Sequence, residues 1–116
     1  MKILIPALKQ KDNILIAEHF GRAPQFLIYD LDNNSKEIIA NPAITANTPN
    51  ERRRILLNLF SNIDFSVIIT KEIGPGMFDE LKNNGKLIYL TTDRYVDDAI
   101  NKFKNNELKE LTSPNE

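Results

Sequence analysis

A chain of 116 residues with 41% hydrophobic residues, 27% charged residues and a formal net charge of -1 has the make-up of one ordinary domain, long enough to bury a core without disulfides or a structural metal. That balance excludes a general nucleic-acid coat, which needs a dominant positive field, and the absence of cysteine excludes thiolate catalysis and any iron–sulfur cluster held by protein thiolates. No apolar run reaches membrane-spanning length, and the opening MKILIPALKQKDN lacks the apolar length and cleavage site of a signal peptide, so the expectation is a cytoplasmic protein with neither membrane nor nucleic acid as partner.

Lys2 to Pro6 is a short, almost continuous apolar run and reads as a buried central strand ended by Pro6. Residues 7–25 read as a long irregular connection, a kind that is often functional, in which Asn13 to Ala17 is a candidate short strand. Phe26 to Leu31 and Lys36 to Ala40 form a hairpin about the Asp32-Asn-Asn-Ser35 turn, because Asn and Asp bond their own backbone and tolerate positive φ. A second irregular connection covers residues 41–47. Thr48-Pro-Asn-Glu51 fits a capping box, with Thr48 as N-cap, Pro49 at the first helical position and Glu51 at N3. The helix that follows puts Ile55, Leu56, Leu59, Phe60 and Ile63 on one face. Ser66 to Thr70 is a further buried strand. Gly74-Pro-Gly76 opens a second helix, with Phe78 and Leu81 inward and Gly85 as its left-handed cap. Lys86 to Leu90 is a fifth main strand, and Thr92 or Asp93 caps a third helix bearing Val96, Ala99, Ile100 and Phe103. The polar stretch from Asn105 reads as frayed. Alternation of strand and helix in the second half requires parallel strands with helical crossovers, and the hairpin adds an antiparallel partner.

Within that frame, His19-Phe-Gly-Arg-Ala-Pro24, followed by a strand and a hairpin, resembles the signature of the dinitrogenase iron–molybdenum cofactor biosynthesis family, which includes nitrogenase accessory factors and small stand-alone proteins. Asn41-Pro42, Ile73-Gly-Pro75, and Asp97 to Phe103 with Glu107 to Leu111 are similar to the family as well, so the likeness runs from Met1 to Leu111. It implies a single three-layer α/β domain over residues 1–111 with a ribonuclease H-like motif: a mixed five-stranded sheet of order 3-2-1-4-5, strand 2 antiparallel, helices on both faces. Residues 112–116 are then a flexible tail. The resemblance also implies a non-catalytic protein that binds or carries an iron–sulfur-based or iron–molybdenum-type cluster, with cluster-assembly proteins as partners. The chain departs from the family pattern at Ala43 to Thr48, which has no Gly, Cys or His, and at Lys71-Glu72, where small residues are frequent.

In an open sheet of that order, ligands bind outside the carboxyl ends of the strands where connections diverge, which points to the loops His19 to Arg22 and Lys71 to Gly76. His19, the single histidine, is the candidate metal ligand. One imidazole cannot hold a bare ion alone, but a preassembled cluster needs only an anchor or two. The alternative is a His19 that bonds a backbone carbonyl and orders the loop. Phe20, Gly21, Arg22, Ile73, Gly74 and Pro75 complete the candidate cofactor-binding set. Phe20 also reads as packing, Gly21 as a plain turn, a positive-φ position or a close approach, and Arg22 either as a donor fork for an anion or as an ion-pair partner of Glu18, Asp30 or Glu72. Gly74-Pro-Gly76 offers free N–H groups to an anion and is equally a simple helix start. Arg52-Arg-Arg54 opposes the dipole of its own helix by about 0.3–1 kcal/mol each, a misfit that suits either an anionic partner or a solvated face.

An enzyme reading fares poorly. A two-metal nuclease needs inward carboxylates on the central strands, and neither Lys2 to Pro6 nor Ser66 to Thr70 has one. No nucleophile-elbow motif is present. The competing class is a regulatory or scaffolding domain that acts through protein contacts without a metal ligand. A homodimer would bring two His19 side chains to one ligand.

Overall fold

The computed structural model describes residues Met1–Glu116. Seven strands and three helices follow one another as β1 (Lys2–Gln10), β2 (Asn13–Ile16), β3 (Gln25–Asp30), β4 (Ser35–Ala40), α1 (Pro49–Phe60), β5 (Val67–Thr70), α2 (Pro75–Asn83), β6 (Leu87–Leu90), α3 (Val96–Lys104) and β7 (Lys109–Glu110). The sheet order is β4-β3-β1-β5-β6-β7, with β2 paired to β1. The five expected strands are β1, β3, β4, β5 and β6. They stand in the expected 3-2-1-4-5 order, with β3 antiparallel to β1 and β5 parallel to both β1 and β6.

Side-chain alternation builds the layers. Successive residues of a strand point to opposite faces, so Leu4 joins Phe26, Ile68 and Ile88 on one side, where α1 adds Leu56 and Phe60 and α2 adds Phe78 and Leu81. Ile3 and Ile5 join Leu27, Val67 and Ile69 on the other, against Val96, Ala99 and Ile100 of α3. Every residue of β5 is buried, as expected of a strand with parallel neighbours and helices on both faces.

Two strands go beyond the sequence expectation. Pro6 does not end β1. The strand continues to Gln10, and its far half pairs antiparallel with β2 from Ala7↔Ile16 to Gln10↔Asn13. Proline is tolerated here because Pro6 sits where β5 no longer pairs, its partners in the parallel register being Ile3 and Leu4; its carbonyl accepts from Ala17 N at 3.0 Å. Much of the connection expected to be irregular is therefore a hairpin. The stretch after Asn105 is not frayed either: β7 pairs antiparallel with β6, and Leu111 is buried.

The caps follow the sequence in two helices of three. Thr48 Oγ1 accepts from Glu51 N at 3.1 Å, and Glu51 Oε2 accepts from Asn47 N, one residue before the cap, at 3.1 Å. Gly85, at φ 78°, closes α2 while Lys86 N donates to Leu81 O and Gly85 N to Lys82 O, the paired bonds of a Schellman end. In α3 the N-cap is Tyr95, not Thr92 or Asp93. Those positions lie too far upstream, and Asp93 is engaged elsewhere. Its carboxylate accepts from Thr91 Oγ1 at 2.7 Å and from Lys102 Nζ at 2.8 Å, stapling the loop before α3 onto the helix.

Burial by itself pushes the Asp93 carboxyl up, but the bonds from Lys102 and Thr91 outweigh it and hold it below the ordinary value of 3.8. A carboxyl lowered on folding contributes stability above its unfolded value and loses it as pH falls through the folded one. Lys102 is partly exposed, so the contribution is discounted for solvent screening. Asp93→Asn is expected to lower unfolding free energy by about 1 kcal/mol at neutral pH. In urea denaturation the gap from wild type should narrow as pH falls below the ordinary carboxyl value and close once pH has passed the folded one. A gap that persists undiminished at acid pH would mean that the charge is not the cause.

Candidate cofactor-binding cleft

Beyond its pairing with β5, β1 turns through the hairpin, and the returning chain runs back along the end of β5. His19 forms a parallel bridge with Glu72, and Phe20 N donates to Glu72 O at 3.2 Å. Thr70 Oγ1 donates to the same carbonyl at 3.1 Å. The loops after β1 and β5 are thereby fastened backbone to backbone at the carboxyl edge of the sheet, where the strand order places a crevice.

A cleft of about 310 Å³ opens over this junction, at the small end of the range for ligand sites. All seven sequence-predicted residues line it: His19, Phe20, Gly21, Arg22, Ile73, Gly74 and Pro75. They do so in different ways. Phe20 is 1% exposed and packs on Phe26 and Phe60 with ring centroids 5.5 and 5.7 Å apart, so it forms the floor. Ile73 is fully buried and belongs to the core. Gly21 has no positive φ; a Cβ there would meet Arg52 Cδ at 3.2 Å, so the glycine serves a close approach.

His19 does not bond a backbone carbonyl. Its Nδ1 lies 2.9 Å from Glu72 Oε2, yet the contact is off the direction a hydrogen bond needs, and the nitrogen is shut off from solvent without a hydrogen-bond partner. The loop is ordered by its backbone bridge to Glu72, and the imidazole is not what orders it. Arg22 makes none of the ion pairs the sequence offered, because Glu18 pairs with Lys71 at 3.2 Å and Glu72 faces His19.

Three contributors lie outside the two loop motifs. Arg52 and Arg53, half-buried near the start of α1, reach into the cleft over Gly21 and Gly76. A Cβ on Gly76 would meet Arg53 Nη1 at 2.6 Å. Neither arginine has a carboxylate partner; Arg53 bonds only Asn50 Oδ1, at 3.3 Å. Their only signal in the sequence is a basic run at a helix start, which does not separate them from Arg54, the one that points to solvent. Glu116 also lines the cleft, and it, His19 and Glu72 each bring a ligand-capable atom within 4.8 Å of the other two. It is carried there by Asn115, whose side chain accepts from Ile73 N at 2.9 Å and donates to Lys71 O at 2.7 Å. The α2 N-terminus completes the wall. Its N-cap, Gly74, supplies no side-chain bond, so the first N–H groups of the helix are left for another acceptor.

Comparison with known proteins bears on what such a cleft is. The model of the family described as dinitrogenase iron-molybdenum cofactor matches residues 1–106. The chain belongs to that family. An uncharacterized protein of Methanocaldococcus jannaschii is 30% identical over 114 residues, 96% of this chain and 92% of that one. A provisionally assigned NifB protein from Thermotoga superposes with a TM-score of 0.80 at 25% identity, covering 99% of this chain and 97% of its own. The apo form of the orange protein from Desulfovibrio gigas superposes with a TM-score of 0.83 over 99% of this chain and 96% of its own; at 21% identity this is a likeness of fold.

The Asn41-Pro42 element that resembles the dinitrogenase iron-molybdenum cofactor family has a positioning role. Asn41 is 3% exposed. Its Nδ2 donates to Ala23 O at 2.8 Å and to Gly21 O at 3.1 Å, and its Oδ1 accepts from Ala43 N at 2.8 Å. One amide thus ties the His19–Arg22 loop to the end of β4. Asn41→Ala leaves those buried carbonyls and an N–H without partners and is expected to cost about 2–3 kcal/mol. Chemical denaturation should show that loss, and amide exchange should accelerate selectively at residues 20–23. A loss below about 0.5 kcal/mol would show that water replaces the amide.

Proposed function

We propose that this protein is a small, non-catalytic carrier that holds an anionic, preassembled metal cluster of the iron–sulfur or iron–molybdenum type as cargo in the cleft between the His19–Arg22 and Lys71–Gly76 loops. The observation that carries this reading is the pair of half-buried arginines, Arg52 and Arg53, facing a helix N-terminus with no carboxylate to satisfy them. Gathering that much unmatched positive charge is unfavourable unless an anion completes it. Membership of the dinitrogenase iron-molybdenum cofactor family supports a metallocluster as that anion and cluster-assembly proteins as the partners that deliver and receive it.

The donor set limits what kind of cluster fits. With no cysteine, a resident cluster built on protein thiolates does not fit. A cargo that brings its own sulfides does, because it needs one nitrogen donor and a field that holds negative charge. The His19 side chain, 43% exposed, supports the first part through the ring nitrogen that does not face Glu72. Arg22, Arg52, Arg53 and the open end of α2 support the second. The Phe20 floor limits access of water from below.

Anaerobic titration with synthetic and biosynthetic clusters, followed by gel filtration, absorbance and iron content, tests this. Wild type is expected to retain about one cluster per chain, His19→Ala to lose most of it, and Arg52→Gln with Arg53→Gln to weaken retention about 10-fold or more, with a steeper salt dependence in wild type. No retention by wild type would overturn the carrier reading in favour of a regulatory or scaffolding domain that works through protein contacts.

A further inference from the structure

We infer that the corner of the cleft formed by His19, Glu72 and Glu116 is a binding site for a single divalent transition-metal ion, separate from any cluster cargo. The inference shares His19 with the carrier reading but does not depend on it.

The contact between His19 and Glu72 is the starting point. Two ligand atoms that each stand about 2.1 Å from a common ion and subtend roughly a right angle at it are about 3 Å apart. His19 Nδ1 and Glu72 Oε2 are 2.9 Å apart and out of line for a hydrogen bond. The distance is also that of an ordinary N–H···O bond; it is the misalignment, with no other partner for Nδ1, that leaves both atoms open to a common ion. Glu116 supplies a third ligand-capable atom within 4.8 Å of both, close enough to reach the ion by side-chain rotation. Lys71, the nearest cation in sequence, does not neutralise the corner, since its Nζ is engaged by Glu18 at 3.2 Å.

The parts are held in place by backbone. His19 and Glu72 are fixed relative to each other by the parallel bridge and the Phe20 N–Glu72 O bond. Asn115, next to Glu116, is held by its amide across Lys71 and Ile73, while the exposed Glu116 side chain remains able to swing onto the ion. One imidazole and two carboxylates suit ions of intermediate softness such as Fe²⁺, Mn²⁺, Co²⁺ or Zn²⁺. Three protein ligands leave at least one position for water or an anion. An ion on Nδ1 would add positive charge to the cleft and leave the other ring nitrogen of His19 for an anionic cargo, so the two need not compete for one atom.

Co²⁺ alone is the probe, added to the purified full chain with no cluster present. Wild type is expected to bind one equivalent through equilibrium dialysis, with visible absorbance characteristic of nitrogen and oxygen ligation. Because His19 is the single histidine, one set of imidazole NMR signals should move to paramagnetically shifted positions. Glu72→Gln and His19→Ala should each weaken binding about 10-fold or more, and Glu116→Gln should weaken it measurably. Arg52→Gln with Arg53→Gln should leave Co²⁺ affinity intact or raise it, although that pair is expected to lose cluster retention. Absence of stoichiometric Co²⁺ binding by wild type, or binding unchanged in Glu72→Gln, would overturn the ion site and leave His19 and Glu72 as an ordinary ion pair. Neither result bears on cluster retention by wild type, so the two ideas fail separately.

Discussion

The cleft depends on one backbone junction, the parallel bridge between His19 and Glu72 with its Phe20 N–Glu72 O bond of 3.2 Å. β1 and β5 pair in register only at Ile3↔Val67 and Leu4↔Ile68. Beyond that point β1 exchanges its neighbour for β2, and the chain must come back alongside the end of β5. The junction closes that detour. It brings a loop that begins at residue 17 against one that begins at residue 71, and the side chains of both are then directed by backbone that is already hydrogen-bonded. Thr70 and Asn115 bond the same β5 loop from two further directions, so the loop is held on several sides before any ligand arrives.

Charge of both signs gathers at this junction. An imidazole and two carboxylates lie within 4.8 Å of one another, and Arg22, Arg52 and Arg53 line the same cleft beside the open end of α2. Placing arginines near the start of α1 works against that helix by at most about 1 kcal/mol each, less for Arg53 than for Arg52, partly offset by Glu51 in the first turn. A single close pairing with an anion near a protein surface is a Coulombic interaction of about 4 kcal/mol at an effective dielectric of about 20. The local penalty is therefore small beside the interaction that an anion in the proposed carrier site would make. The two glycines fit the same logic. Gly21 and Gly76 leave room for Arg52 and Arg53 to lie flat against the loops, so glycine here serves the reach of a guanidinium and not a left-handed turn.

Much of the fold is legible in residue order. The apolar runs, the Asp32–Ser35 turn, the Thr48 capping box and the Gly85 cap each have a local physical cause, and each stands where that cause puts it. The departures share one origin. Pro6 reads as a strand end because proline removes a ladder donor, but whether that donor is needed depends on which strand lies alongside. Asp93 reads as a cap because carboxylates favour helix starts, but Lys102 and Thr91 claim it. The polar stretch after Asn105 offers no apolar periodicity, and its order comes from the β6 edge and the carbonyls of the β5 loop.

The candidate site divides along the same line. His19, Phe20, Gly21, Arg22, Ile73, Gly74 and Pro75 are visible as two motifs, and the strand order implies that they meet. The partners that give those motifs their chemistry are not visible as such: Glu72 opposite the imidazole, Arg52 and Arg53 over the glycines, Glu116 carried in by Asn115, and Asn41 behind the loop. Residue order alone determined the strands, helices, caps and turns, because periodicity, capping and turn chemistry act over a few residues; the strand order that brings the two loops to one crevice came from the family resemblance. Only the tertiary structure decided which polar groups were left without partners and where they pointed, because satisfaction of a charge or a lone pair is a property of everything within about 4 Å of it, and most of those neighbours are distant in the chain.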